Sequence, residues 1–202
     1  MSITIWIIII TAGISIIAFQ RSEIFERFLL SPYMVVQRKE WYRAISHGFL
    51  HVDWIHLIIN MFVLYLFGQY IEDYYNSISD VWVFHYLSLY FGGMIVASIP
   101  SIIKYKDHYG YRSVGASGAV SAVLFASIFI NPWKQLLFMA ILPVPGIIFG
   151  VFYLAYSSYM SKKSIDNINH DAHLWGAVYG FFYSIVINPQ LFSDFIQKLI
   201  HP

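Results

Sequence analysis

Four side chains in this 202-residue sequence are out of keeping with their surroundings. Ser117 lies between two glycines in "SVGASGAVSA", Ser113 to Ala122, at the mouth of an apolar run; His173 stands at the mouth of another. His56 and Asn60 sit four apart in "HLIIN". Polar groups in such runs are costly unless partnered, so each is a functional candidate by default. A serine and a histidine brought together form a nucleophile and general base pair. His56 and Asn60 share one helix face and can aim two donors at one point. Taken alone, that pair is equally compatible with hydrogen bonds that only hold helices together, and Ser117 alone with close packing. His85 reads as structural.

The elements that must position these residues are apolar. The chain is 58% hydrophobic and 11% charged, against about 25% charged in a typical soluble domain. Uncharged windows recur over Ile3 to Phe19, Ile55 to Ile71, Val81 to Ile103, Val114 to Ile130, Leu136 to Met160 and Ala172 to Phe192. Each reaches or nearly reaches the length that crosses about 30 Å of hydrocarbon as a helix. All Asp, Glu, Lys and Arg lie outside them, as expected when a charge at the bilayer centre costs at least ~2.5 kcal/mol. The expectation is an all-α membrane protein: a single domain over 1–202 with helices near 3–19, 55–71, 81–103, 114–130, 146–160 and 172–188. The first window has no basic flank or cleavage pattern and reads as a retained anchor. Cysteine is absent, which removes disulfides and thiolate metal chemistry. A formal net charge of +1 argues against a nucleic-acid partner.

The first connection, Gln20 to Trp54, is long; its Phe25, Phe28, Leu29, Val35, Val36, Trp41 and Tyr42 alternate with five Arg/Lys, which predicts an interfacial segment with its apolar side embedded. Pro143, Pro145 and Gly146 break the fifth window, leaving a short helix after Gly146 and an apolar re-entrant or interfacial loop over Leu136 to Leu142. No repeat supports an inverted-repeat transporter. Ten of the twelve Lys and Arg lie in the odd-numbered connections, which the positive-inside rule would place in the cytoplasm.

Gly118, Ala122 and Ala126 make a small-residue stripe, and Ala172, Gly176, Gly180 and Ser184 make another, which predicts close packing of the fourth and sixth helices. Ser117 and His173 both stand near the N-terminal ends of those helices, hence on the same side of the membrane. Asp171 is the carboxylate nearest His173 in sequence, but about 200° separates the two positions around a helix. A dyad is therefore expected rather than a triad.

These residues resemble the rhomboid intramembrane serine proteases. "GASG" at Gly115 to Gly118 is similar to that family's GxSG, "AHLWGAVYG" at Ala172 to Gly180 to its AHxxGxxxG, and "HLIIN" to its HxxxN; "EWYR" at Glu40 to Arg43 is like its tryptophan-arginine element. The resemblance covers nearly the whole chain in the right order. It implies a six-helix bundle with a long first loop, with Ser117 as nucleophile and His173 as general base and acid. His56, Asn60 and the Ser117 N–H would form the oxyanion hole, and Gly115, Gly118, Gly176 and Gly180 would support it. Transmembrane protein substrates within the lipid bilayer, no cofactor, no metal, and a bacterial inner (cell) membrane are further implications. His47 and His51 match histidines to which only structural roles are given. The family topology puts both termini in the cytoplasm, against the charge count; it is preferred because the arginine-rich connection reads as embedded. Two departures stand out: Ser121, where many bacterial members carry a tyrosine that packs on the histidine, and Tyr42, which separates Trp41 from Arg43.

The competing readings are a non-catalytic member of the same fold that binds membrane helices, and a metal transporter or metalloprotease lined by His47, His51, His56, His170 and His173. A pure binder needs neither Ser117 nor His173. The metal reading lacks an HExxH and any carboxylate within the spans.

Overall fold

The apolar windows fold as helices in the computed structural model, which describes residues 2–138, 141–163 and 168–201. Three of the helices it describes are long and apolar enough to cross a membrane: α1 (Ile3–Gln20), α5 (Trp54–Ile78) and α6 (Trp82–Tyr105). Helix α7 (Ser117–Ile130) is apolar but shorter. Helices α8 (Gly146–Lys163) and α9 (His170–Ile187) overlap the segments expected at 146–160 and 172–188, and α10 (Gln190–Ile200) follows.

Several boundaries differ from expectation, each for a local reason. The windows at 55–71 and 81–103 run on to Ile78 and Tyr105, because a charge ends a hydrophobic run without breaking the backbone ladder. The window at 114–130 becomes helical only at Ser117, since Gly115 has φ +121° and interrupts any earlier start. Helix α9 starts at His170, where the Asn169 side chain accepts the Ala172 N–H at 3.1 Å. The loop expected over Leu136 to Leu142 is, in its described residues, part of an antiparallel hairpin. There β1 (Gln135–Phe138) pairs with β2 (Leu142–Pro145), Leu137 opposite Pro143 and Gln135 opposite Pro145. A two-stranded sheet is all edge, which tolerates the two prolines; Met139 and Ala140 lie outside the described residues.

The first connection is folded throughout, as α2 (Ser22–Phe28), α3 (Pro32–Gln37), α4 (Arg43–Ser46) and a 3-10 turn at His47–Phe49. Leu29, Leu30, Val35 and Leu50 from this segment are fully buried. Arg43 is buried too, its Nε bonded to Glu40 at 2.6 Å and one terminal nitrogen donating to the Glu26 and Leu29 carbonyls at 3.0 and 2.8 Å. Tyr42 does not disturb this: its ring lies beside the guanidinium and its hydroxyl donates to the Arg27 carbonyl at 3.2 Å.

At the opposite end of α1, the buried Glu72 of α5 accepts the Ile3 and Thr4 N–H groups at 2.8 and 3.0 Å and the Thr4 hydroxyl at 2.8 Å. A carboxylate at a helix N-terminus meets both free donors and the positive end of the helix dipole. The Tyr86 hydroxyl lies 2.7 Å from that of Thr4, which ties α6 to the same point.

Helix α7 stands in the middle, packed against α5, α6, α8 and α9. Every residue from Gly118 to Ile130 is buried, and Ser117 is half-buried. The two small-residue stripes meet as expected: a Cβ on Gly176 would overlap the Gly118 carbonyl, and one on Gly180 the Ala122 carbonyl. Backbone contact of this kind is available only to glycine.

Candidate active site

Ser117 is the first residue of α7, and the backbone leading to it is clamped twice by the first connection. Leu30 and Ser113 exchange two backbone hydrogen bonds, of 2.9 and 3.0 Å, and the Gly115 N–H donates to the His47 carbonyl at 3.0 Å. Gly115 satisfies two demands at once: its φ of +121° disfavours any side chain, and an added Cβ would lie 2.7 Å from Cε1 and 2.9 Å from Nε2 of His56. The His56 ring therefore lies directly against the turn before the serine.

Three helix N-termini meet here and are capped differently. Asp53 accepts the His56 N–H at 2.7 Å to start α5, and Asn169 starts α9. Helix α7 starts after Ala116, which has no side-chain acceptor. The first N–H groups of α7 thus keep their donors and the positive end of the dipole for whatever lies beside Ser117. This is the electrostatic requirement of an oxyanion site.

Asn60, buried one turn below His56, spends one amide hydrogen on the His56 carbonyl at 2.9 Å and keeps a second. Its neighbours Leu57, Met61 and Leu64 belong to the same core cluster as Ala116, Ala119, Val120 and Val123 of α7. His51 braces His56 through an edge-to-face contact, ring centroids 4.8 Å apart. The Ser15 hydroxyl donates to the Phe49 carbonyl at 2.8 Å, so its oxygen receives the His51 Nδ1–H at 2.9 Å. His47 Nδ1 donates to the Arg43 carbonyl at 2.9 Å. Burial lowers the pKa of His47 to about 4, against the raising effect of that bond. Burial, with the nearby His56, lowers that of His51 to about 3.

His173 sits on the first turn of α9, half-buried. That turn abuts the turn of Ser117: a Cβ on Gly118 would lie 3.5 Å from the Ala172 carbonyl oxygen. Asn169 helps hold the two together, its amide nitrogen 3.0 Å from Ser101 Oγ on α6 and 3.3 Å from Ser113 Oγ before α7. Asp171 accepts a hydrogen bond from Ser161 of α8. The Tyr153 ring of α8 lies nearly parallel to that of His173, at 6.1 Å and 23°. Its hydroxyl is 2.7 Å from Ser121 Oγ.

Gly115, Gly118, Gly176 and Gly180 are thus all at close approaches, and His56, Asn60, Ser117 and His173 stand on three helices converging at one end. Tyr153 and Asn169 escaped the sequence reading, although an asparagine just before a helical run is an N-cap signal. His85 lies apart, edge-on to Tyr75 and Phe84.

Apolar helices of spanning length define the class, an integral membrane protein. A family profile for the Rhomboid domain matches residues 38–190, well over half the chain, and the protein belongs to that family. Rhomboid-like protein 11, chloroplastic, of Arabidopsis thaliana is 30% identical over 185 residues, covering 87% of this chain and 61% of that protein. RHOMBOID-like protein 12, mitochondrial, of the same plant is 26% identical, covering 75% of this chain and 49% of that one. Rhomboid protease GluP of Bacillus subtilis (strain 168) is 24% identical, covering 82% of this chain and 30% of GluP. The chain spans less than two thirds of each. Relatives named for chloroplasts and mitochondria give no support to a bacterial inner membrane in particular.

Proposed function

We propose that this protein is an intramembrane serine endopeptidase that cleaves transmembrane segments with a Ser117–His173 dyad. The carrying observation is the burial pattern of α7: thirteen consecutive buried residues, preceded by a half-buried serine at an uncapped N-terminus. Packing alone calls for a small residue at Ser117, not for an accessible hydroxyl beside free backbone donors. The relative named as a rhomboid protease supports the same reading.

In this mechanism His173 takes the Ser117 proton as Oγ attacks the scissile carbonyl. The His56 side chain, the free Asn60 amide hydrogen and the Ser117 N–H receive the negative charge on the carbonyl oxygen. His173 then protonates the leaving amine, and water resolves the acyl-enzyme through the same steps. The substrate helix enters beside α8 and unwinds locally, because a helical peptide bond is shielded from attack. The small residues around Ser117 favour a small side chain before the cut.

Six helices, α1 and α5 to α9, cross the membrane as one domain in this reading. Fourteen residues give α7 a length of about 21 Å, short of the ~30 Å hydrocarbon, so Ser117 lies below the surface at the floor of a cavity. That cavity faces the outer side. The positive-inside count is set aside because five of its ten residues lie in the first connection, which is folded onto the helices through Leu29, Leu30, Val35 and Leu50 and is not a free loop. A topology reporter placed after α10 should report the cytoplasm; an extracytoplasmic signal overturns this orientation.

Purified protein should cut a test transmembrane substrate, and Ser117→Ala should abolish cleavage. A fluorophosphonate should label Ser117 and lose that labelling in His173→Ala. Undiminished cleavage by Ser117→Ala sinks the dyad. Absent labelling and cleavage favours the non-catalytic helix binder.

A further inference from the structure

Helix α8 carries Tyr153 and Tyr156, three residues apart, and α9 carries His170 and His173, also three apart. The rings interleave across the helix pair. Tyr153 lies on His173 at 6.1 Å and 23°, His170 meets His173 edge-on at 6.0 Å and 75°, and Tyr156 meets His170 edge-on at 5.6 Å and 81°. Behind Tyr153, Phe125 of α7 and Phe149 of α8 lie at 5.4 and 5.7 Å. The Tyr153 hydroxyl is fixed by Ser121, one turn below Ser117 on α7. The phenol ring is therefore held at both ends, by its own backbone on α8 and by a hydroxyl of the helix that carries the candidate nucleophile. Its face restrains one face of the candidate base.

We propose that Tyr153 is the positioning residue for His173, supplied by α8 across the helix pair, so that the imidazole is oriented only while α8 is seated against α7 and α9. This rests on the dyad reading for its catalytic meaning. An imidazole that transfers a proton between Ser Oγ and the leaving nitrogen must keep one plane through both steps, and stacking constrains that plane without using a ring nitrogen. The small Ser121 side chain is part of the arrangement, because it leaves room for a ring arriving from α8 and bonds its hydroxyl. Helix α8 is itself lightly anchored, with only Gly146, Gly150 and Ser157 buried, while Val151, Phe152, Tyr156 and Tyr159 are exposed. Displacing α8 sideways would withdraw the ring from His173, so access past this helix and readiness of the base are linked.

The test compares Y153F, Y153L and the double variant S121Y/Y153L with wild type, for kcat and KM on a transmembrane substrate and for the rate of diethylpyrocarbonate acylation of His173 read by mass spectrometry. Y153L should lower kcat about tenfold or more with little change in KM, and raise the acylation rate several-fold. Y153F keeps the ring but loses its bond to Ser121, and should fall between wild type and Y153L in both measurements. S121Y/Y153L, which returns a tyrosine from α7, should recover part of kcat and of the protection. Thermal unfolding in detergent confirms that each variant is folded. Acylation does not depend on proteolysis: a wild type that cuts nothing while Y153L exposes His173 overturns the dyad and keeps the positioning role. Normal cleavage together with wild-type acylation in a folded Y153L overturns the positioning role and keeps the dyad.

Discussion

At the scale of single residues, the backbone sets the tightest limits. Gly115 combines a φ of +121° with the His56 ring where its Cβ would be. Gly115→Ala should therefore reduce cleavage by about 10²-fold or more through displaced donors, and steady-state kinetics on the folded variant would check it. Gly180 faces the Ala122 carbonyl with no room for a methyl group. Gly180→Ala should lower the unfolding midpoint by several degrees, an overpacking cost of about 1–3 kcal/mol. Both glycines stand in short motifs, as do the proposed site residues Ser117, His173, His56 and Asn60, and the small-residue spacing around them anticipated the close packing of α7 and α9. Tyr153 was not legible, because its value lies in meeting residues twenty and thirty-two positions away on other helices. Ser121 announced a missing tyrosine without saying where its replacement would come from.

At the scale of elements, hydrophobic windows located the helices and misjudged their ends. Charge at Glu72 marked the end of the apolar run in α5, yet the helix continues to Ile78 and uses that carboxylate to hold α1. Glu72→Ala leaves the Ile3 and Thr4 N–H groups without this acceptor. It should destabilise the fold by about 2–4 kcal/mol, read as a lowered thermal midpoint and earlier proteolysis near residue 20, with Ser117 chemistry affected only through stability. The hairpin of β1 and β2 was hidden by its prolines, which normally argue against a strand and here occupy an edge. Helix α10 was visible in principle: Leu191, Phe195 and Leu199 recur every fourth residue, and the first two are buried.

At the scale of the whole molecule, burial of neutral imidazoles in the first connection makes stability depend on pH. His47 and His51 have folded-state pKa values of about 4 and about 3, below the ordinary 6.5. The unfolded chain binds protons first, so the stabilisation from neutral burial is complete above pH 6.5 and is lost as pH falls toward 4 and then 3. Each group contributes a slope of up to about 1.4 kcal/mol per pH unit in that window. Thermal midpoints measured between pH 7 and pH 4.5 should fall, and His51→Gln should flatten the fall. A midpoint independent of pH over that range would contradict the neutral burial. The same two residues join the first connection to the serine turn and to α1, so acid should loosen the site before it unfolds the helices.

The burial of α7 also bears on small-molecule recognition. A covalent inhibitor reaches this helix at one residue, and the rest of α7 offers it no surface. Reactivity would come from Ser117, while discrimination between this protein and its relatives would come from what surrounds the serine turn: the first connection at Leu30 and His47, and the face of α8 around Tyr153. Compounds elaborated toward α8 should gain selectivity where compounds elaborated along α7 cannot.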